Sequence, residues 1–115
     1  GATDLDPRGV TIEESKQLAT RLIDSGVDLL DVSGGLCGSR PDELEDDEGY
    51  FVNYACMIRE SVNCPVIGVG GIGDPIYAND LVESNKLDLI AVGRAQLSNS
   101  DWASEAKKVL EGNNS

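Results

Sequence analysis

The sequence predicts an α/β fold, because three short apolar segments alternate with stretches of helical apolar spacing. The segments 27–33, 66–69 and 88–92 are rich in Val, Ile and Leu, and small residues follow each of them. Strands that alternate with helices form a parallel sheet. The carboxyl ends of these strands would then lie along one edge, which is where α/β proteins bind their ligands.

The first helix is predicted from a capping box. Residues 1–10 are polar, and we expect them to form a loop. The helix should begin after Thr11, since the Thr11 side chain can accept a hydrogen bond from the backbone of the first turn and Glu14 can reach back to the cap. Gly26 is expected to end this helix. Its predicted apolar stripe consists of Leu18, Ala19, Leu22 and Ile23.

Three further helices complete the alternation. Their apolar faces place them at residues 50–61, 75–84 and 101–111. Gly112 is expected to end the last of them, and residues 95–100 are predicted to be a connection. The acidic run 42–48 lacks the ligand spacing of a calcium loop, so we expect a solvated loop there. The side chains of the last helix that should pack inward are Trp102, Ala106, Val109 and Leu110.

The second strand runs into a glycine-rich turn. Gly70 and Gly71 follow the strand directly, and Asp74 and Pro75 then suit the N-cap and the first position of a helix. Glycines let the backbone approach a ligand closely and point amide N–H groups at it. The turn therefore indicates an anion site, and the alternative is a plain tight connection between a strand and a helix.

The other two strands also end in small residues. Ser33 and Gly34 follow the first strand, and Gly93 and Arg94 follow the third. Two of the three strand ends lie near a predicted helix N-terminus, whose N–H groups and dipole favour a phosphate. Arg94 would add a cationic side chain that can bind a phosphate through two hydrogen bonds or stack on a flat ring. The alternative for Arg94 is a surface salt bridge.

The composition excludes several classes of partner. The chain has 9 Lys and Arg against 21 Asp and Glu, a net charge of −12, which argues against nucleic acid and anionic membranes. No apolar run approaches the roughly 18 residues of a membrane span, and no signal peptide is recognisable, so we expect a cytoplasmic location. Cys37, Cys56 and Cys64 match neither a zinc site nor a redox pair and are predicted to be free thiols. The sequence contains no His, and no metal site is predicted.

The length leaves two architectures open. A chain of 115 residues can bury a modest core as a small open sheet. An eight-stranded barrel needs about 250 residues, but the glycine-rich strand ends also match the last part of such a barrel, where the loops after strands 7 and 8 often hold phosphate. The missing initiator Met predicts that the chain starts inside a longer gene.

Four segments carry a specific combination of motifs. They are residues 26–36 (GVDLLDVSGGL), 49–61 (Gly-Tyr leading to ACMIRES), 65–73 (PVIGVGGIG) and 88–102 (DLIAVGRAQLS, then Asp-Trp). Their order and spacing resemble the old yellow enzyme family of NAD(P)H:flavin oxidoreductases. The resemblance implies that residues 1–115 are the C-terminal portion of a TIM (β/α)8 barrel, with strands 6 to 8 and four helices.

The resemblance also implies a function. Members of this family bind FMN, take electrons from NADH or NADPH, and reduce the activated C=C bond of a small enone or enal. Tyr50 matches a Gly-Tyr found in some members, and its implied role is packing. The implied cofactor-binding positions are Gly70 and Gly71 after strand 7, Gly93 and Arg94 after strand 8, and Ser33 and Gly34 at the end of strand 6.

Other parts of the family's site have no counterpart in the chain. The substrate-binding His pair and the flavin contacts of strands 1 and 5 would lie before residue 1, so no catalytic residue is predicted here. We therefore expect an inactive portion of a longer enzyme. Two alternatives stay open, the phosphate-binding half of a barrel isomerase or lyase and a non-catalytic half-barrel that forms a homo-oligomer to cover its open edge strands.

Overall fold

Three parallel strands form one sheet at the centre of the fold. The structure, a computed structural model, describes residues 2–3, 5, 8–34 and 48–113. The elements in chain order are α1 (Ile12–Asp24), β1 (Leu30–Val32), α2 (Val52–Ser61), β2 (Val66–Gly68), α3 (Pro75–Glu83), β3 (Leu89–Ile90), α4 (Arg94–Ser98) and α5 (Trp102–Asn113). The predicted α/β class is confirmed.

The order of the strands in the sheet follows their order in the chain. β1 pairs with β2, with Leu30 beside Val66, and β2 pairs with β3, with Ile67 beside Leu89. A doubly wound sheet reverses its strand order at a switch point, whereas a barrel adds each strand beside the previous one. The sheet is therefore consistent with a portion of a (β/α)8 barrel.

The strands are shorter than the apolar segments that predicted them. β1 covers three of the predicted residues 27–33, and β3 covers two of the predicted residues 88–92. Apolar character extends beyond the paired residues because the flanking positions also contact the core. Val92 packs against the core although it lies after the end of β3.

The capping prediction for α1 is confirmed. The Thr11 hydroxyl accepts a hydrogen bond from the Glu14 amide at 3.2 Å, and the helix ends before Gly26, whose φ is +111°. The predicted stripe is partly wrong, since Ala19 is buried whereas Leu18 and Leu22 are 56% and 38% exposed. Amphipathic spacing identifies an apolar face, but it does not show whether a neighbouring element covers that face.

Three helix boundaries differ from the prediction. The predicted connection 95–100 contains a fifth helix, α4, and α2 begins at Val52 because Tyr50 lies in the turn that precedes it. α5 continues past Gly112, the expected end. A Cβ atom at Gly112 would meet no atom within 4 Å, so no close contact at this position requires the helix to end there. Val109, expected to pack inward, is 43% exposed, whereas Ala106 is buried as predicted.

The core lies between the sheet and its covering helices. β2 is the central strand, and Val66 is fully buried beside Leu87. α2 contributes Ala55 and Ile58, and α3 contributes Ala78 and Leu81 to the same cluster. A short continuous apolar strand covered by helices is what the 66–69 segment predicts.

Ala2, within the predicted N-terminal loop, contacts the end of β1. Ala2 is 3% exposed, and its amide donates to the Ser33 carbonyl at 2.7 Å. The Leu30 amide donates to the Pro65 carbonyl and therefore points toward β2. Because backbone groups alternate between the two edges of a strand, the Ser33 carbonyl points to the opposite edge. Ala2 therefore lies at the edge of β1 that β2 leaves open.

An ion pair joins the end of α2 to the start of β3. Arg59 Nε lies 2.9 Å from Asp88 Oδ2, Arg59 Nη2 lies 3.1 Å from Oδ1, and the same carboxylate accepts from the Val66 amide at 2.8 Å. The hydrogen bonds from Arg59 and Val66 hold the pKa of Asp88 below its usual range. The pair thus fixes the register of β3 against β2.

We expect Asp88→Ala to lower the free energy of unfolding by about 2 kcal/mol, since it removes charge-assisted hydrogen bonds to two elements. Because the pKa of Asp88 is lower in the folded state, the ionised carboxylate stabilises the fold at pH values above the unfolded pKa of about 3.9. This stabilisation is lost as the pH falls through the lower pKa of the folded state. Urea unfolding should therefore separate the variant from wild type at pH 7, and the difference should shrink progressively as the pH is lowered below about 3.9. The exposed Asp80→Ala is the control, and an equal loss there would contradict the assignment.

Candidate functional site

The glycine-rich turn between β2 and α3 packs against an aromatic pair that precedes α2. Gly70 and Gly71 have φ values of +114° and +66°, a region that favours glycine. A Cβ atom built on Gly70 would lie 2.9 Å from Phe51 Cδ2 and 3.1 Å from Tyr50 Cε2. The turn therefore requires glycine at position 70 for two independent reasons, backbone conformation and close packing.

Backbone carbonyl groups of the turn also accept hydrogen bonds from two other segments. The Gly49 amide donates to the Gly71 carbonyl at 3.2 Å. From the other side, the Trp102 indole N–H at the start of α5 donates to the Gly73 carbonyl at 3.0 Å. Among the residues that the structure describes, none accepts a hydrogen bond from the amides of Gly70 or Gly71. The contacts therefore fix the turn through its carbonyl groups.

The N-terminus of α3 is capped by Asp74 as predicted, and Glu48 adds a second carboxylate that the sequence did not indicate. The Glu48 carboxylate accepts from the amides of Gly73 at 3.0 Å and Asp74 at 3.2 Å, and the Asp74 side chain caps the Ile76 amide at 3.0 Å. The expected phosphate donors of this helix are thus already bound by carboxylates, because an acidic side chain is as well suited to a helix N-terminus as a phosphate is. The amides of Gly73, Asp74 and Ile76 are therefore already occupied by carboxylates.

Arg94 lies at the same edge as the turn. It follows Gly93 and begins α4, and its Nη1 donates to the Tyr50 hydroxyl at 3.2 Å. A side chain at Gly93 would meet no atom within 4 Å, so there is open space beside this backbone. Tyr50 contacts Gly70 with its ring and Arg94 with its hydroxyl, and it therefore brings the ends of β2 and β3 together.

Ser33 and Gly34 occupy a different position from the other predicted residues. They follow β1, where the Ser33 carbonyl accepts from Ala2 and the Ser33 hydroxyl donates to the Gly34 carbonyl at 3.3 Å. In the part of the chain that the structure describes, no hydrogen bond joins them to Gly70 or Arg94. The structure thus links the predicted residues after β2 and β3 through Tyr50, and Ser33 and Gly34 follow the neighbouring strand, where Val32 lies beside Gly68.

The cysteines carry no recognisable site in the described ranges. Cys56 and Cys64 are unpaired, and burial is the main cause that raises the pKa of each thiol. Cys37 and acidic residues 42–47 lie outside the described residues. Among the residues that are described, no group of three His, Cys, Asp or Glu side chains could hold a metal ion. No helix in the same ranges has the length and apolar character needed to cross a membrane.

Comparison with known proteins assigns the chain to a family. The family model described as NADH:flavin oxidoreductase / NADH oxidase matches residues 9–113. The chain belongs to this family. The glycine turns alone left open a barrel isomerase or lyase. Membership in this family instead supports the interpretation that the phosphate site serves a flavin.

Named relatives of this flavin oxidoreductase family are much longer than the chain. The chain is 39% identical over 103 residues to an NADH oxidase from Thermoanaerobacter brockii, covering 87% of the chain and 16% of the relative. It is 33% identical over 109 residues to an NADPH dehydrogenase from Geobacillus sp. (strain WCH70), covering 95% of the chain and 32% of the relative. The chain therefore spans between one sixth and one third of these relatives.

Sequence reasoning missed three residues that shape the candidate site of this flavin oxidoreductase family member. Glu48 was assigned to a solvated loop, Trp102 to the core, and Tyr50 to packing alone. Each makes a polar contact to a residue at least 25 positions away.

Proposed function

We propose that the chain supplies the phosphate-binding loops of an FMN-dependent NAD(P)H oxidoreductase. The observation that carries this proposal is the juxtaposition of Gly70 and Gly71, whose amides have no partner among the described residues, with the cationic side chain of Arg94. Backbone amides in a glycine turn and a nearby guanidinium are the donors that suit a phosphate monoester. Family membership supports FMN as the phosphate-bearing group.

Each of these residues would have a distinct role toward FMN. The amides of Gly70 and Gly71 would donate to the phosphate, and the absence of side chains there would let the phosphate approach. Arg94 would neutralise its charge, and the open space beside Gly93 would accommodate it. Bound FMN would supply hydride transfer from NADH or NADPH to the activated C=C bond of an enone or enal. Ser33 and Gly34 would lie nearer the flavin ring than the phosphate.

We further propose that residues 1–115 are a portion of a barrel and are inactive alone. Two observations support this. Ala2 makes a backbone hydrogen bond beside the free edge of β1, and Leu89 of β3, the opposite edge strand, is 53% exposed. An apolar groove of about 500 Å³ lies along that strand between α3 and α5. Further strands and helices of the same barrel would cover both edges, and the free thiols suit a cytoplasmic location.

The test uses the intact protein that carries this chain, loaded with FMN under anaerobic conditions. Adding NADH or NADPH should bleach the absorbance of oxidised flavin within the dead time of manual mixing. A small cyclic enone should then restore the absorbance with one equivalent consumed per flavin. A protein that binds no FMN would sink the proposal, and flavin reduction without reoxidation by any enone or enal would overturn its substrate class.

A further inference from the structure

Tyr50 is the residue that contacts both halves of the candidate phosphate site. Its side chain is buried, with 8% exposure, between the turn after β2 and the loop after β3. The ring meets Phe51 edge-on, with ring centres 4.8 Å apart and an interplanar angle of 80°. Its Cε2 atom would lie 3.1 Å from a Cβ atom built on Gly70, and the hydroxyl accepts from Arg94 Nη1.

We propose that Tyr50 is a positioning residue that orients the Arg94 guanidinium toward the phosphate held by the glycine turn. The inference rests on the proposed function, and it replaces the packing role that the sequence suggested. A guanidinium presents five N–H donors in a fixed plane, so a hydrogen bond at one nitrogen sets the direction of the others. Long arginine side chains lose considerable rotamer freedom when they bind, and a fixed partner reduces that loss.

The arrangement also couples the two loops mechanically. The ring of Tyr50 is held in place by Phe51 and by the backbone of Gly70, so the position of the hydroxyl follows the position of the turn. A displacement of the turn would therefore move the partner of Arg94 as well. Tyr50 therefore acts through Arg94 and the turn.

Two variants separate orientation from packing. Tyr50→Phe keeps the ring and removes the hydroxyl, so we expect a 3- to 10-fold weaker affinity for FMN with an unchanged unfolding midpoint, as the loss of one hydrogen bond predicts. The affinity for riboflavin, which has no phosphate, should not change. Tyr54→Phe is the matched control, because Tyr54 stacks near the same Phe51 ring with a centre distance of 6.4 Å.

The measurement is flavin fluorescence titration of the intact apoprotein with FMN and with riboflavin. Unchanged FMN affinity in Tyr50→Phe would overturn the inference, and so would an equal weakening for both flavins. A failure of the proposed function itself has a different signature, since the wild-type protein would then bind FMN no better than riboflavin. Adding the second substitution Arg94→Ala should abolish the effect of Tyr50→Phe, because the hydroxyl then has no guanidinium to orient.

Discussion

Replacing Gly70 with alanine is expected to abolish high-affinity FMN binding and to destabilise the fold. The residue has a φ of +114°, and an added methyl group would press against Phe51 at 2.9 Å. Backbone strain of about 1–2 kcal/mol and overpacking of about 1–3 kcal/mol would both act on the turn. We expect the free energy of unfolding to fall by about 2–5 kcal/mol, taking these two costs together. Since the strain displaces the Gly70 and Gly71 amides, FMN affinity should fall by more than about tenfold.

The matched control for this variant is Gly73→Ala in the same turn. Gly73 is not at positive φ, and a methyl group there would lie 3.8 Å from the Ala95 Cβ, an ordinary contact. Its amide and carbonyl would keep their hydrogen bonds to Glu48 and Trp102. Urea unfolding and FMN titration of both variants should give a large effect for position 70 and little for position 73. Equal effects at the two positions would contradict the assigned role of Gly70.

Replacing Arg94 with alanine is expected to weaken FMN binding about 10- to 100-fold, the range for losing charge-assisted hydrogen bonds. The fold should be unaffected, because Arg94 is an exposed residue at the start of the short helix α4. Arg94→Lys should recover only part of the affinity, since an ammonium group cannot reproduce the planar guanidinium geometry that Tyr50 engages. Titration of both variants with FMN, at two salt concentrations, measures the loss of affinity in Arg94→Ala and its partial recovery in Arg94→Lys.

Arg21→Ala provides the control for a general change in charge. Arg21 is an exposed cation in the last turn of α1. Because the whole chain carries a net charge of −12, removal of any cation makes it more repulsive to an anionic ligand. A loss of FMN affinity in Arg21→Ala equal to that in Arg94→Ala would show that net charge, and not a specific contact, governs binding.

Local signals in the sequence predicted most of the elements. The capping box at Thr11, the Asp74-Pro75 start of α3 and the glycine turn each depend on neighbouring residues, and each appears where expected. The alternation of apolar segments likewise predicted the parallel sheet. Such features are set by backbone propensity and hydrogen bonds within a few residues, which is why they can be read without tertiary information.

The parts that escaped prediction depend on long-range contacts. Tyr50 meets Arg94 across 44 positions, and Glu48 reaches the amide of Gly73 across 25. No periodicity specifies which polar side chain will meet which backbone group after the strands align. The exposure of Leu18 on α1 was missed for the same reason. Whether an apolar helix face is buried depends on a neighbouring element, and the sequence of the helix alone does not specify that neighbour.

The most direct test of the central claim compares FMN with riboflavin in binding to the intact apoprotein. The two flavins share the ring and the ribityl chain and differ only in the phosphate. If Gly70, Gly71 and Arg94 form a phosphate site, FMN should bind at least 100-fold more tightly, and the ratio should collapse in Arg94→Ala. Equal affinity for the two flavins in the wild-type protein would contradict the account.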